Sequence, residues 1–236
     1  MKLDDLIKIY DTKKRQFGEK AYLHISEIFN DIREEYKKEY LASPKAQKKR
    51  AQGKLLDAEQ SWKPFKGSNF EKLVLHIIES EIESLNLKCV SGNSLGKEHL
   101  PTELSKVYYN LVVRYGRYSV LPDADLVIYD PKTSRVVGII SCKITLRERV
   151  AQTAYWKLKF MSDPLRMHIK GYLVTADEDG DLVEGMAKPS RDRIIVEYDL
   201  DGTYVLRDVV ESDKVKAFPN LIEDIRRLVS GQKKKD

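Results

Sequence analysis

Residues 121–149, LPDADLVIYDPKTSRVVGIISCKITLRER, constrain this chain more than any other stretch. A Pro-Asp opening feeds the apolar run Leu126, Val127, Ile128 and Tyr129. Asp130-Pro131-Lys132-Thr133-Ser134 carries turn chemistry, and a second run from Val136 to Ile140 delivers Ser141 and Lys143. Short branched runs bounded by Pro and Asp fit a pleated, buried surface, which predicts two adjacent strands. Side chains alternate along a strand, so Asp123, Asp125, Val127 and Tyr129 share one face, and Val137, Ile139, Ser141 and Lys143 share one face of its neighbour. An acid and an ammonium are thereby predicted to meet at one edge.

The rest of the chain supplies helices and further strands. Leu3, Leu6, Ile7 and Tyr10, then Ile25, Ile28, Phe29, Ile32 and Tyr36, recur at three- and four-residue spacing, predicting two amphipathic helices ended by Ser43-Pro44. The basic stretch that follows reads either as a helix touching phosphates through Lys48 and Lys49 or as a solvated linker. Ser68 with Glu71 has capping-box spacing ahead of the stripe Phe70, Leu73, Val74, Ile77, Ile78 and Ile82, which predicts a helix start at Ser68. Lys88-Cys89-Val90 predicts a strand and SGNSLGK a loop. Only three residues separate Gly92 from Gly96, and Glu98 follows Lys97, so this is no phosphate-binding P-loop.

Pro101 opens a predicted helix through Leu104, Val107, Tyr108, Leu111, Val112 and Tyr115, with Gly116 as its stop. Thr145 with Glu148 predicts another capped helix after the lysine strand. Residues 170–175 predict a strand, residues 193–198 and 203–207 a hairpin about Asp199-Leu200-Asp201-Gly202, and Asn220 a final helix. The predicted fold class is mixed α/β (α+β). Residues 1–62 form an N-terminal helical region with a basic linker, and residues 63–236 a core sheet flanked by helices with a C-terminal hairpin and helix.

The formal net charge is only +5, but Lys and Arg bunch at residues 13–15, 45–50, 157–159 and 233–235, a pattern that suits a polyanionic partner. The two cysteines, Cys89 and Cys142, lack metal-ligand spacing and argue against a disulfide scaffold, so a reducing cytoplasm is expected. No charged-then-apolar leader and no apolar run of about eighteen residues occurs, which predicts no membrane partner. His24, His76, His99 and His168 show no paired spacing, which disfavours histidine-centred or zinc chemistry.

With these elements in order, PDADLVIYD followed by SCK resembles the PD-(D/E)XK signature of metal-dependent nucleases. SCKITLRERV resembles the lysine strand and following helix of type II restriction endonucleases, and the resemblance covers about residues 68–175. It implies a PD-(D/E)XK restriction-endonuclease-like core sheet and Mg²⁺-dependent hydrolysis of double-stranded DNA at a short, palindromic, G·C-containing site. It also implies a homodimer, since two-fold symmetry matches a palindrome, and functional pairing with a cognate DNA methyltransferase. A non-catalytic DNA-binding module, with Asp125 and Lys143 merely paired, and a junction-resolving or repair nuclease are the alternatives.

A phosphodiester repels hydroxide, so a hard cation held by carboxylates is wanted to neutralise it and to acidify water, with an ammonium beside it. The resemblance assigns the metal to Asp125, with Asp123 in reserve and the backbone carbonyl of Cys142 as a further ligand, and the ammonium to Lys143. Ser141 stands where the second acid usually does, and serine is a poor Mg²⁺ ligand. Glu71, after Gly67-Ser68-Asn69-Phe70, is the candidate replacement, and its other reading is the helix cap. Arg147-Glu148-Arg149 resembles the R-(D/E)-R element that reads adjacent G·C pairs, where arginine bonds guanine O6 and N7 and glutamate accepts from cytosine N4. Its other readings are a solvated first helical turn and, for Glu148, the displaced acid. Gln152 lies farther along the same helix as a DNA-facing candidate.

Overall fold

The structure, a computed structural model, describes residues 3–146 and 149–232. The chain divides into two compact units, Met1–Leu73 and Val74–Asp236. In the first, α1 (Leu3–Phe17), a 3-10 segment (Gly18–His24), α2 (Ile25–Ala42) and α3 (Pro44–Ala51) lead into α4 (Ala58–Ser84). The two apolar stripes do what their spacing predicts, burying Leu6, Tyr10, Ile25, Ile28, Phe29 and Ile32. Tyr36 packs on Phe65 at 4.2 Å between ring centres, and Trp62 meets Phe29 edge-on. The basic stretch is partly helical: Ser43 Oγ accepts from the Ala46 amide to cap α3, which carries Lys48 exposed and Lys49 half-buried.

The expected helix start at Ser68 is overturned. Helix α4 begins at Ala58, where Asp57 Oδ1 accepts from the Gln60 amide, and it runs unbroken through Pro64 and Gly67. Proline and glycine inside a helix cost roughly 3 and 1 kcal/mol. Here the buried Trp62 and the Phe65 contacts against α2 offset that cost. Ser68 therefore lies mid-helix, and Glu71 is a half-buried helical residue rather than half of a capping box.

The second unit is built on a six-stranded sheet ordered β1-β4-β5-β6-β7-β8. Strand β1 (Lys88–Ser91) is followed by a single helical turn, α5 (Gly92–Leu95), where a loop was expected. Helix α6 (Thr102–Leu111) stops before Gly116, because residues 113–120 form a two-stranded hairpin of β2 (Val113–Tyr115) and β3 (Tyr118–Val120). Strands β4 (Leu126–Tyr129) and β5 (Val136–Lys143) are the predicted antiparallel pair, with Leu126 opposite Ile140. All four β4 residues are buried, as a central strand with both faces covered requires.

After α7 (Arg149–Met161), β6 (Lys170–Thr175) returns parallel to β5, with Lys143 opposite Thr175. Helix α8 (Arg191–Asp199) then crosses to β7 (Gly202–Val205), parallel to β6, followed by β8 (Val215–Ala217) and α9 (Asn220–Gln232). The hairpin expected over residues 193–207 is thus overturned. Ser190 Oγ caps α8 through the Arg193 amide at 2.9 Å, and the fully buried Arg193 donates to Glu197 one turn on and to the carbonyls of Leu182 and Val210. This cap and guanidinium network outweigh the strand preference of Ile194-Ile195-Val196. Among the described residues, no helix is long and apolar enough to cross a membrane.

Candidate active site

Strands β4 and β5 run antiparallel, so the start of one lies beside the end of the other. That geometry sets Asp125, the residue before β4, against Lys143, the last residue of β5. Lys143 Nζ donates to Asp125 Oδ2 at 2.7 Å, and the Cys142 amide donates to the same oxygen at 2.6 Å. The Asp125 amide is itself tied to the Ile140 carbonyl at 3.1 Å. Both side chains are nearly enclosed, at 10% exposure for the acid and 13% for the lysine. Among the described residues, Oδ2 takes both side-chain hydrogen bonds of this carboxylate. Ser141, two residues before Lys143, is buried.

Asp123 and Asp125, expected on one face, go separate ways. Gln152 Nε2 on α7 donates to Asp123 Oδ2 at 2.7 Å, so Asp123 leans on the helix while Asp125 meets the lysine. Arg149, the first described residue of α7, is exposed. Arg147 and Glu148 lie outside the described residues. Glu71, Lys48 and Lys49 belong to the first unit. Lys157 is buried and paired with Asp201 at 2.7 Å, so it faces no solvent.

Two supports for the site escaped the sequence reading. Gly92, the first residue of α5, donates its amide to the Asp125 carbonyl at 2.9 Å, and a Cβ there would stand 1.8 Å from the Ala124 carbonyl oxygen. Only glycine fits that approach, and the SGNSLGK segment offers it with no sequence signal beyond the glycine itself. On the other side, the Ala176 amide reaches the Lys143 carbonyl and the Glu178 amide the Ile144 carbonyl, bracing the end of β5. Between them Asp177 accepts from the Asp181 and Leu182 amides, and its burial, only partly opposed by those amides, pushes its carboxyl up to about 6.

The donor chemistry suits a hard cation. Mg²⁺ keeps several waters and is usually held by one or two carboxylates. The described residues bring no three His, Cys, Asp or Glu side chains together. What they offer is the Asp125 carboxylate with backbone oxygen beside it, a set of hard oxygen donors.

The family model for BsaWI restriction endonuclease type 2 matches residues 103–227, a segment that contains Asp125, Lys143 and α7. A Methanocaldococcus jannaschii protein named as a type II restriction enzyme, MjaVIP, is 35% identical over 207 residues, 86% of this chain and 92% of its own. This chain belongs to the BsaWI family of type II restriction endonucleases. A second relative of this restriction endonuclease, HpyAORF263P of Helicobacter pylori, also named as a type II restriction enzyme, is 32% identical over 125 residues, 53% of this chain and 65% of its own. A solved complex of the restriction endonuclease AgeI with DNA shares the fold at 15% identity, with a TM-score of 0.52 over 88% of this chain and 82% of that one. The PD-(D/E)XK reading of the mixed sheet and its flanking helices is thus borne out at the level of family and fold.

Proposed function

We propose that this restriction endonuclease hydrolyses phosphodiester bonds of double-stranded DNA with Mg²⁺, as a homodimer at a short palindromic site containing G·C pairs. The observation that carries the reading is the contact of Lys143 with Asp125 at the joined ends of β5 and β4. The solved DNA complex of AgeI, similar in fold, supports DNA as the partner. Asp125 is the metal-holding carboxylate, aided by the Cys142 carbonyl. Mg²⁺ bound there supplies charge neutralisation at the phosphate and lowers the pKa of water.

The chain's own groups do the positioning. The Cys142 amide fixes the orientation of the Asp125 carboxylate by holding Oδ2. Lys143 carries three donors on one ammonium, enough to hold Asp125, the attacking water and a phosphate oxygen together. Arg149 at the start of α7 reads guanine and cytosine edges, together with Arg147 and Glu148 of the same Arg-Glu-Arg element. Lys48 and Lys49 contribute sequence-independent phosphate contacts, and a DNA methyltransferase of the same specificity protects the host.

The test is digestion of DNA of known sequence with Mg²⁺ and mapping of the ends. Discrete ends sharing a G·C-containing palindrome are expected, and their absence, or a site of A·T pairs alone, overturns the reading. Asp123→Ala should keep cleaving, because its carboxylate is held by Gln152.

A further inference from the structure

The β2–β3 hairpin was unforeseen in the sequence and has no part in the site described so far. Its register is Val113 opposite Val120 and Tyr115 opposite Tyr118, joined by the two-residue turn Gly116-Arg117. Gly116 sits at φ +60, the conformation that tight hairpin turns demand at this position. Such hairpins have little stability alone, and this one is held along α7. Tyr115 and Tyr155 share a hydrogen bond between hydroxyls at 2.7 Å, and Lys159 Nζ stands over both rings, 5.2 and 5.4 Å from their centres. At the tip, Arg117 lies over the Tyr118 ring at 5.0 Å and donates to its hydroxyl.

These cations are placed but not neutralised. Residues 113–120 contain no acid, and among the described residues no carboxylate forms an ion pair with Arg117 or Lys159. Tyrosine rings hold the two charges at defined positions while leaving their remaining N–H donors to a partner. Arg114 differs: it alternates to the other face of the hairpin from Tyr115.

The hairpin is also tied to the reacting end of the sheet. Strand β3 runs within five residues to Asp125, and Gln152, Tyr155 and Lys159 recur on one face of α7 at spacings of three and four. Gln152 touches Asp123, so the stripe starts beside the active site. From Gln152 to Lys159 the helix rises about 10 Å, the length of about three base-pair steps.

We propose that the β2–β3 hairpin and the adjoining face of α7 form a clamp for the DNA backbone, in which Arg117 and Lys159 hold phosphates flanking the cleavage point. This rests on the nuclease reading of Asp125 and Lys143. The contact is sequence-independent, because neither cation is aimed by a planar acceptor pattern and both are set on tyrosine faces. Its effect is to fix the duplex relative to Asp125 whatever sequence lies outside the recognition site.

The test is binding of a fluorescent mixed-sequence duplex of about three helical turns, without divalent metal, titrated over a range of salt. Removal of one cation from the phosphates lowers the slope of log K against log salt by about one. Arg117→Gln and Lys159→Gln should each do so and weaken binding about tenfold near 0.1 M salt. Arg117→Lys should restore the slope, and thermal unfolding of both Arg117 variants should match wild type because that site is exposed, with only a slight loss for Lys159→Gln, whose site is half-buried. Unchanged slopes in both glutamine variants, with wild type binding normally, overturn the clamp alone. A wild-type protein that binds this duplex but never cleaves DNA with Mg²⁺ overturns the nuclease reading instead.

Discussion

Two aspartate–lysine contacts of identical length sit at opposite ends of the parallel strands β5 and β6, and their surroundings separate chemistry from architecture. At the carboxyl ends, Lys143 meets Asp125 at 2.7 Å. At the amino ends, Lys157 meets Asp201 at 2.7 Å. Asp201 is saturated: Oδ1 takes Lys170 at 3.0 Å, and Oδ2 takes Lys157 and the Gly171 amide. Lys157 gives a further donor to the Ile169 carbonyl. Asp125 instead gathers its bonds on one oxygen. A saturated pair is closed to ligands, whereas a half-used carboxylate beside an ammonium can take one. Open sheets of parallel strands also bind ligands at the carboxyl ends.

The sharpest way to break this comparison is to remove each acid in turn. On the proposed metal-dependent mechanism, in which charge neutralisation lowers the barrier by several kcal/mol, Asp125→Ala and Lys143→Ala should each lower cleavage by about 10³-fold or more. DNA binding measured without metal should persist. Wild-type turnover in either variant would place the chemistry elsewhere.

Asp201→Ala should invert that pattern, costing about 3–5 kcal/mol of stability by stranding the buried Lys157, with cleavage per folded molecule unchanged. Burial works to raise the Asp201 carboxyl, but Lys157, the Gly171 amide and Lys170 outweigh it and hold it below its ordinary 3.8. A depressed acid contributes stability that is whole above the unfolded value and lost as pH falls through the folded one. The wild type should therefore lose this contribution below pH 3.8, and the acid limb of a stability–pH curve should flatten in the variant. Equal acid limbs in the two proteins would remove Asp201 from the account.

Gly92→Ala probes the support of the Asp125–Lys143 pair. The added Cβ meets the Ala124 carbonyl, so the entrance to β4 must move. A loss of about 1–3 kcal/mol is expected, with activity falling further than stability because Asp125 shifts from Lys143. Chemical denaturation beside single-turnover cleavage separates the two. The smallest effect is expected at Arg149→Ala, which should cost about 1–3 kcal/mol of binding to the mapped site and leave binding to unrelated duplex nearly intact. Equal losses on both duplexes would reduce Arg149 to a phosphate contact.

Legibility followed the reach of the interaction. Leu126 to Tyr129, the Asp130–Ser134 turn and the run to Lys143 were readable because alternation and turn residues act between near neighbours. Residues 193–198 were misread because Ile194-Ile195-Val196 favours a strand locally, while Arg193 finds acceptors at Leu182 and Val210 that no local pattern displays. Ser190 after Pro189 was the available signal, a cap ahead of Arg193. At α4, the Ser68–Glu71 spacing argued for a helix start there, which the packing of Trp62 and Phe65 in a helix begun at Ala58 overrode.

Within the candidate site, the residue types, the strand order and the preference for Asp125 over Asp123 were in the sequence, and the separate partners of the two acids were not. Asp123 and Asp125 are equivalent by alternation, and only the fold gives one to Gln152 and the other to Lys143. The chain by itself determined that an acid and an ammonium would reach one edge of a sheet, because strand period and turn chemistry are local. Only the tertiary structure decided which acid meets the lysine, that Gly92 must lie against Ala124, and that a tyrosine-braced hairpin stands beside them. Those outcomes depend on contacts between segments far apart in sequence, whose energies are set by close packing rather than by local preference.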